Sequence, residues 1–218
     1  MRPPPLKATT SSRGKIVSGL LLKLVVGLGN PGREYALTRH NAGWWYVDSL
    51  ARSSGASWQH AARHQSELAR ARIADTELWL AKPATFMNRS GAAVASIAGF
   101  YRIEPQEMLI VHDDIDLTPG TVRLKQGGGH GGHNGLRDVI AHVGADFWRL
   151  RIGVGHPGHR DLVLEAVLER PSKAEQVLLD ESLARALPAL TVLLREGAQQ
   201  AMHALHSHNG APRSATPG

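Results

Sequence analysis

Cysteine is absent from the 218-residue chain. Disulfide bonds, thiolate metal sites and cysteine nucleophiles are therefore excluded, and the composition suits the reducing cytoplasm, where we expect this protein. Long apolar runs are absent as well. Residues 20–28 are interrupted by Lys23 and Gly27, far short of the roughly 18 consecutive apolar residues that a membrane-spanning helix needs. We therefore expect no membrane segment, and this stretch is more typical of a buried strand.

Acidic residues are missing from the start of the chain, where Glu34 is the first one. Three prolines at residues 3–5 are followed by Ser, Thr, Arg and Lys without an amphipathic helical pattern, so residues 1–21 are predicted to be a flexible extension. Residues 208–218 are rich in Gly, Pro, Ser and Ala, which predicts a flexible tail. The remaining residues, 22–207, suffice for one folded domain.

The chain is basic: 25 Lys and Arg residues face 19 Asp and Glu residues, giving a formal charge of +6 and a pI of about 10.1. A basic surface favours polyanions because binding releases their counterions. No long Lys/Arg run concentrates this charge, however. Charge alone therefore leaves open both a nucleic-acid partner and a basic protein without one.

Strand and helix patterns alternate along the chain. Strands are expected at 22–26, 108–111 and 148–154, with a hairpin formed by 67–73 and 77–81. Helices are expected to begin at four polar residues, Asn41, Ser90, Asn134 and Ser172, of which the last forms a capping box with Glu175. Pro188 is expected to kink the last helical region and Gly197 to split it. This order predicts an α/β fold, a single three-layer αβα domain whose mixed, mostly parallel twisted sheet carries helices on both faces.

Residues 27–32 read GLGNPG and follow the first predicted strand. They match the dinucleotide-binding fingerprint G-x-G-x-x-G, which requires a helix that opens at the glycines and meets a pyrophosphate. Here Pro31 and residues 33–39 intervene before the helical pattern begins. A tight turn that presents Asn30 at the carboxyl end of a strand is favoured, and dinucleotide binding stays as the alternative.

Two polar segments contain candidate acid–base groups. His40 lies in TRHN at 38–41, directly before a predicted helix, and histidine is the side chain best suited to proton transfer near neutral pH. The segment HDDID at 112–116 ends a predicted strand with three carboxylates. These would either bind a divalent metal through oxygen or orient a histidine base, and both alternatives stay open.

Two further segments offer ligand-binding groups. The run GGGHGGHNG at 127–135 would receive phosphate or a carbonyl group on its N–H groups, or would hold a metal through His130 and His133. The run KPATFMNRSG at 82–91 presents the amide of Asn88 beside Phe86 and Met87, which serve either apolar contact or core packing. No G-x-S-x-G sequence occurs, so an α/β-hydrolase serine is not expected.

Taken in order, these motifs resemble the bacterial peptidyl-tRNA hydrolase family. The resemblance rests on GLGNPG, YxxTRHNAG, KPATFMNRSG, HDDIDLTPG, GGGHGGHNGL and RLRIGVGHPG, and it runs from about Leu24 to about His206. It implies a single-domain αβα protein that acts as a monomer without metal or cofactor. It also implies an enzyme that cleaves the ester between a peptide and its tRNA and so frees the tRNA for translation.

The resemblance implies residue roles as well. His40 corresponds to the general base, Asp113 to its partner, and Asn30 to the residue that recognises the peptide part of the substrate. Residues implied to contact the tRNA 3′ CCA end or the peptide are Tyr35, Phe86, Asn88 and Asn134. Basic residues implied to bind tRNA phosphate are Arg123 and Lys125. Arg149 and Arg151 lie near them in the basic part of the sequence, but they alternate with apolar residues, so phosphate contact and a structural role are both open.

Two other classes of protein remain as rivals. A nucleotide- or RNA-binding module would use the basic surface and GLGNPG without needing His40 and Asp113 together. A metal-dependent hydrolase would combine the acidic segment with His130 and His133 and would lose activity in chelator.

Overall fold

The computed structural model describes residues 19–206. The predicted flexible tail at 208–218 and nearly all of the predicted extension at 1–21 lie outside this range. Residues 19 and 20 lie against the C-terminal helical region, where the N–H of Leu20 donates to the carbonyl of Leu193 at 3.0 Å. Gly19 approaches so closely that a β-carbon there would lie 1.9 Å from the carbonyl oxygen of Leu194.

Seven strands and six α-helices make up the described part of the chain. The strands are β1 (Leu24–Gly27), β2 (Gln59–Ala61), β3 (Ser66–Ile73), β4 (Thr76–Pro83), β5 (Met108–Asp114), β6 (Val122–Gln126) and β7 (Trp148–Gly153). The helices are α1 (Ala42–Ser54), α2 (Ser90–Tyr101), α3 (Asn134–Val143), α4 (Val163–Leu168), α5 (Lys173–Glu196) and α6 (Ala198–His206). None of these helices is long and apolar enough to cross a membrane.

The strands form one mixed sheet in the order β2-β3-β4-β1-β5-β7-β6. The four central strands, β4, β1, β5 and β7, are parallel, whereas β2, β3 and β6 pair antiparallel at the two ends. The predicted α/β fold is confirmed. The short strands β2 and β6 were not predicted, because polar side chains occupy their exposed positions and weaken the apolar signal.

Side chains alternate between two apolar layers, one on each face of the sheet. Val25 of β1 packs with α1, α5 and α6, while its neighbours Leu24 and Val26 pack with α2 and α3 on the other face. Both faces of the central strands are thus covered, which explains their continuous apolar sequences.

The turns, helix caps and helix breaks predicted from short sequence patterns are confirmed only in part. The hairpin is confirmed, and Ala74 and Asp75 turn it with φ values of 50° and 65°. The capping box of Ser172 and Glu175 is confirmed at the start of α5. Gly197 separates α5 from α6 as predicted, while α5 continues as one helix through Pro188. The predicted cap at Ser90 is wrong, because this residue lies inside α2 and its hydroxyl donates to the carbonyl of Met87 at 2.9 Å.

The carboxyl ends of the four parallel strands meet at one edge of the sheet. The segments GLGNPG, KPATFMNRSG and HDDIDLTPG follow or end β1, β4 and β5 at this edge. Open α/β sheets bind ligands at such an edge. The fold therefore brings together segments that lie up to about ninety residues apart in the sequence.

Candidate active site

The turn after β1 is held by a pair of asparagines. The backbone N–H of Asn30 donates to Oδ1 of Asn41 at 2.8 Å, and Nδ2 of Asn41 donates to the carbonyl of Asn30 at 3.0 Å. Asn41 precedes α1 as predicted, but its side chain makes no capping hydrogen bond. It instead fixes the backbone of Asn30 eleven residues earlier, so the turn and the start of α1 form one unit.

The side chain of Asn30 is buried, and one of its two polar atoms is already hydrogen-bonded within the protein. Its Oδ1 accepts from the backbone N–H of Met87 at 2.7 Å, which ties the turn after β1 to the segment after β4. This bond fixes the amide orientation, with Nδ2 as the remaining donor. Asn30 therefore offers N–H groups rather than a carbonyl oxygen to a ligand.

His40 lies in a one-turn helix at Arg39–Asn41, and Asp113 lies near the end of β5. Nδ1 of His40 is 2.9 Å from each carboxylate oxygen of Asp113, and the two residues are 5% and 2% exposed. Burial lowers the pKa of His40, but the charge and hydrogen bond of Asp113 raise it more, and the net pKa lies above 6.5. Burial likewise raises the pKa of Asp113, while His40 and His133 lower it well below its ordinary value.

A second histidine, His133, contacts the same carboxylate. Its Nε2 lies 3.0 Å from Oδ1 of Asp113, while its Nδ1 accepts from the backbone N–H of Leu136 at 3.2 Å and thereby caps α3. Because Nδ1 is an acceptor, the neutral ring carries its hydrogen on Nε2 and donates it to Asp113. Both nitrogens of His133 are therefore occupied, whereas within residues 19–206 only Nδ1 of His40 has a hydrogen-bond partner.

The ligand atoms of His40, Asp113 and His133 lie within 4.8 Å of one another and form a candidate cation site. The tautomer of His133 opposes metal binding. A metal would need a lone pair on Nε2, the nitrogen that faces Asp113, but in this tautomer Nε2 carries the hydrogen. The other acids diverge. Asp114 accepts from Nε of Arg151 at 2.7 Å, and Asp116 is exposed. The donor set fits a hydrogen-bonded carboxylate better than a metal.

His112 lies beneath this group, on the opposite side of the strand from Asp113. Its Nδ1 donates to the carbonyl of Asp113 at 2.7 Å, and its Nε2 is buried with no hydrogen-bond partner among the described residues. Its ring meets that of His133 edge to face at 5.1 Å. Burial, followed by the proximity of His133, lowers the pKa of His112 to about 3, so the ring is neutral at pH 7.

An open cleft of about 520 Å³ lies over His40. Its lining includes the polar amides of Asn30, Asn88 and Asn134. It also includes apolar side chains, among them Leu164 and Leu168 of α4. The full lining is Asn30, Tyr35, His40, Phe86, Met87, Asn88, Arg89, Asn134, Leu164 and Leu168. Six of the residues selected from the sequence thus share one cleft, with Asp113 behind His40.

Arg123 and Lys125 lie elsewhere, on β6 at the end of the sheet. They alternate with the buried Val122 and Leu124, so both belong to the opposite face of the strand. They pair with Arg151 and Arg149 on β7, which places four cations on one face of this edge. The cleft lining does not include them.

The two arginines of β7 have partners within the chain. The guanidinium of Arg149 is buried, binds the carbonyl groups of Gly128 and Gly129, and lies 4.8 Å from the ring centroid of Phe147. Arg151 binds Asp114. The structural alternative therefore holds for Arg149, which fastens the glycine-rich loop to the sheet.

The dinucleotide alternative for GLGNPG does not fit the local structure. Turns and a one-turn helix occupy residues 32–41, and α1 begins only at Ala42. The glycines serve close packing instead. A β-carbon on Gly29 would lie 2.7 Å from the ring of Trp44, and one on Gly27 would lie 2.3 Å from the carbonyl oxygen of Gly43. The first turn of α1 packs tightly against these glycines, whereas a pyrophosphate site requires a helix that opens at the glycines and leaves its N–H groups free for phosphate.

Comparison with known proteins agrees with these motifs. The family model for peptidyl-tRNA hydrolase matches residues 24–213. The peptidyl-tRNA hydrolase of Neisseria meningitidis serogroup B is 50% identical over 187 residues, covering 85% of this chain and 97% of the relative. That of Cupriavidus pinatubonensis is 50% identical over 196 residues, covering 86% and 98%.

A solved structure agrees as well. The crystal structure of peptidyl-tRNA hydrolase from Acinetobacter baumannii superposes with a TM-score of 0.84 at 45% identity, covering 86% of this chain and 95% of that one. The family match spans most of the chain, and it includes every segment that builds the cleft. The chain therefore belongs to the peptidyl-tRNA hydrolase family.

Proposed function

We propose that this protein hydrolyses the ester bond of peptidyl-tRNA with His40 as general base. The observation that carries the proposal is the pair of 2.9 Å contacts between Nδ1 of His40 and the carboxylate of Asp113 at the floor of an open cleft. An ester releases an alkoxide that needs no strong acid. One water and one well-placed base therefore suffice.

The hydrogen bond to Asp113 defines the tautomer of His40. With hydrogen on Nδ1, Nε2 carries the lone pair that removes a proton from water as the water attacks the ester carbonyl. Asp113 then stabilises the imidazolium that forms. The raised pKa of His40 makes it a stronger base than a free histidine.

The amides of Asn30, Asn88 and Asn134 supply neutral donors to the same cleft. We assign them to the peptide carbonyl groups and to the negative charge that develops on the ester oxygen. A neutral amide polarises a carbonyl without forming an ion pair with phosphate. The tRNA backbone therefore does not compete for these groups.

Asn30 is our candidate for discrimination against aminoacyl-tRNA, whose α-amine is largely cationic and lacks a peptide bond. A site built for a peptide group leaves its own polar groups unpaired when that group is missing. The orientation of Asn30, fixed by Met87 and Asn41, supports this assignment because a preset donor cannot rotate to suit an ammonium group.

The tRNA itself is assigned to two places. Tyr35 and Phe86, whose rings meet edge to face at 6.4 Å, lie at the cleft and suit the 3′ CCA end. Arg123 and Lys125 on β6 suit phosphates of the acceptor stem. We further propose that the enzyme acts in the cytoplasm as a monomer, without metal or cofactor.

The test is release of an N-blocked amino acid from N-blocked aminoacyl-tRNA by the wild type and by His40→Ala, each with and without EDTA. We expect cleavage by the wild type that resists chelator and collapses in His40→Ala. Circular dichroism of both proteins checks that the variant is folded.

The rival functions give different results. Cleavage abolished by EDTA would move the chemistry to a metal held by the carboxylates. Tight tRNA binding without cleavage by folded wild type would favour a binding module, and full activity in His40→Ala would remove His40 as the base.

A further inference from the structure

Two of the apolar residues that line the cleft, Leu164 and Leu168, belong to α4, a helix of six residues. Its Leu164 is 60% exposed, although this side chain lines the cleft together with Leu168. Ligand-binding clefts are lined largely by apolar side chains, so Leu164 is placed where an apolar part of a ligand would cover it.

A helix this short is not stable by itself, since nucleation costs more than one turn of hydrogen bonds returns. The segment before α4 contains Gly155 and Gly158 with φ values of 81° and 93°. The most extensive contacts of α4 are with the one-turn helices at Arg39–Asn41 and Arg160–Leu162. Its position therefore depends on the contact with residues 39–41.

Arg39 makes that contact through hydrogen bonds to the end of α4. Its backbone N–H donates to the carbonyl of Glu169 at 3.1 Å, and its Nη1 donates to the carbonyl of Ala166 at 3.0 Å. A cation at the carboxyl end of a helix also interacts favourably with the helix dipole.

The other end of the same guanidinium reaches α5. Nη2 of Arg39 donates to Oε2 of Glu175 at 2.9 Å, and this oxygen also accepts from the N–H of Ser172 at 2.7 Å. Arg39 thus joins the end of α4 to the capping box that starts α5. It does so from a rigid segment, because the N–H and hydroxyl of Thr38 both donate to the carbonyl of Tyr35 at 2.9 Å.

We infer that Arg39 is a positioning residue that holds α4 beside the cleft, so that Leu164 and Leu168 form a binding wall for apolar side chains of the peptide. The inference rests on the proposed function. Arg39 is adjacent in sequence to His40 but points away from it, toward α4. Catalysis and side-chain selection are thereby anchored to the same turn through separate side chains.

The experiment uses one tRNA charged chemically with either acetyl-Leu-Leu or acetyl-Gly-Gly, so that only the peptide differs. The wild type is expected to have a lower KM for the Leu-Leu substrate. Arg39→Ala should reduce this preference in kcat/KM by roughly tenfold, which is the size of effect that apolar pocket contacts contribute to selectivity. The loss should lie in KM, and the pH dependence set by His40 should not move.

Three variants separate positioning from general damage. Arg39→Lys keeps the charge but not the two-sided guanidinium contact, so it should restore part of the preference. Leu164→Ala removes an exposed side chain and should reduce the preference without affecting folding. Arg195→Ala removes an arginine from an exposed ion pair with Asp75 and should leave the preference unchanged.

The outcomes distinguish this inference from the proposed function. Cleavage of neither peptide by the wild type would overturn the proposed function. Wild-type cleavage with an unchanged Leu-Leu preference in Arg39→Ala, or with an equal loss on both substrates, would overturn the role of Arg39. Faster hydrogen exchange at the α4 amides in Arg39→Ala, together with the lost preference, would support it.

Discussion

Two segments of this protein bring a histidine to the same carboxylate, and they do so with opposite ring nitrogens. The turn at 38–41 presents Nδ1 of His40 to Asp113, whereas the glycine-rich loop presents Nε2 of His133. Nδ1 of His133 is used by α3. The number of contacts to Asp113 therefore does not identify the base. We instead base the assignment of the proposed base on the ring nitrogen without a hydrogen-bond partner among the described residues, which is Nε2 of His40.

The two segments also differ in construction. Residues 38–41 contain no glycine and are tied to Asn30, α4 and α5 by side-chain hydrogen bonds. The loop before α3 contains Gly127, Gly128, Gly131 and Gly132 with positive φ values, and Arg149 holds two of its carbonyl groups. The proposed base, His40, therefore lies on the more constrained of the two segments, and acid–base catalysis depends on such fixed distances.

The largest effect is expected when each of the two histidines is substituted in a separate variant. His40→Ala should lower kcat by roughly a thousandfold, within the range for loss of a general base. His133→Asn keeps a side chain that can cap α3 and should lower kcat by about tenfold at most. Steady-state cleavage of N-blocked aminoacyl-tRNA measures both, and equal losses would refute the distinction between the two nitrogens.

Removing the negative charge of Asp113, which both histidines contact, should have the next largest effect. The wild-type kcat/KM should rise with pH through an inflection above 6.5, because the base must be neutral and its pKa is raised. In Asp113→Asn the burial of His40 remains without the compensating charge, so the inflection should fall below 6.5. The kcat should drop by about a hundredfold or more. An unmoved inflection would show that Asp113 does not set the pKa of His40.

Asn30→Asp is a nearly isosteric change that tests the proposed role of the turn after β1. The carboxylate can still accept from Met87, but the donor that we assign to the peptide is lost. We expect kcat/KM on N-blocked substrate to fall by roughly tenfold, with poorer discrimination against aminoacyl-tRNA and a melting temperature close to that of the wild type. Unchanged rates on both substrates would exclude Asn30 from the site.

The smallest effects should come from the edge strand beside the glycine-rich loop. Arg123→Gln and Lys125→Gln should each weaken tRNA binding a few-fold and lower the slope of log affinity against log salt by about one. Arg70→Gln is the matched control, because Arg70 pairs with Glu77 on the far side of the sheet. If Arg70→Gln lowered the slope of log affinity against log salt as much as the β6 variants do, a specific phosphate contact of Arg123 or Lys125 would be ruled out.

The sequence predicted the composition of the cleft well because its motifs follow strands whose carboxyl ends must converge. Asn30, Asn88 and His40 share one cleft for that reason. Local rules also gave the β3–β4 hairpin and the start of α5, since turn and capping preferences act within a few residues.

Contacts between distant segments were not predictable from the same rules. Asn41 has the sequence signature of a helix cap, yet its amide binds Asn30. Arg39 gives no local signal, because its partner Glu175 lies 136 residues away. His133 appeared in the sequence as a possible metal ligand. The hydrogen bond at Nδ1 that assigns its tautomer depends on how the glycine-rich loop turns.

The buried ring of His112 ties the folding of this protein to acidity. Its pKa of about 3 lies far below the ordinary 6.5. Between pH 3 and pH 6.5, His112 is therefore protonated in the unfolded chain but neutral in the native protein. Each pH unit of acidification should then reduce the free energy of unfolding by up to about 1.4 kcal/mol through this residue. His40, with its raised pKa, is protonated in both states there and adds no slope. A neutral imidazole buried next to Asp113 thus makes the stability of the fold sensitive to acid at the candidate active site itself.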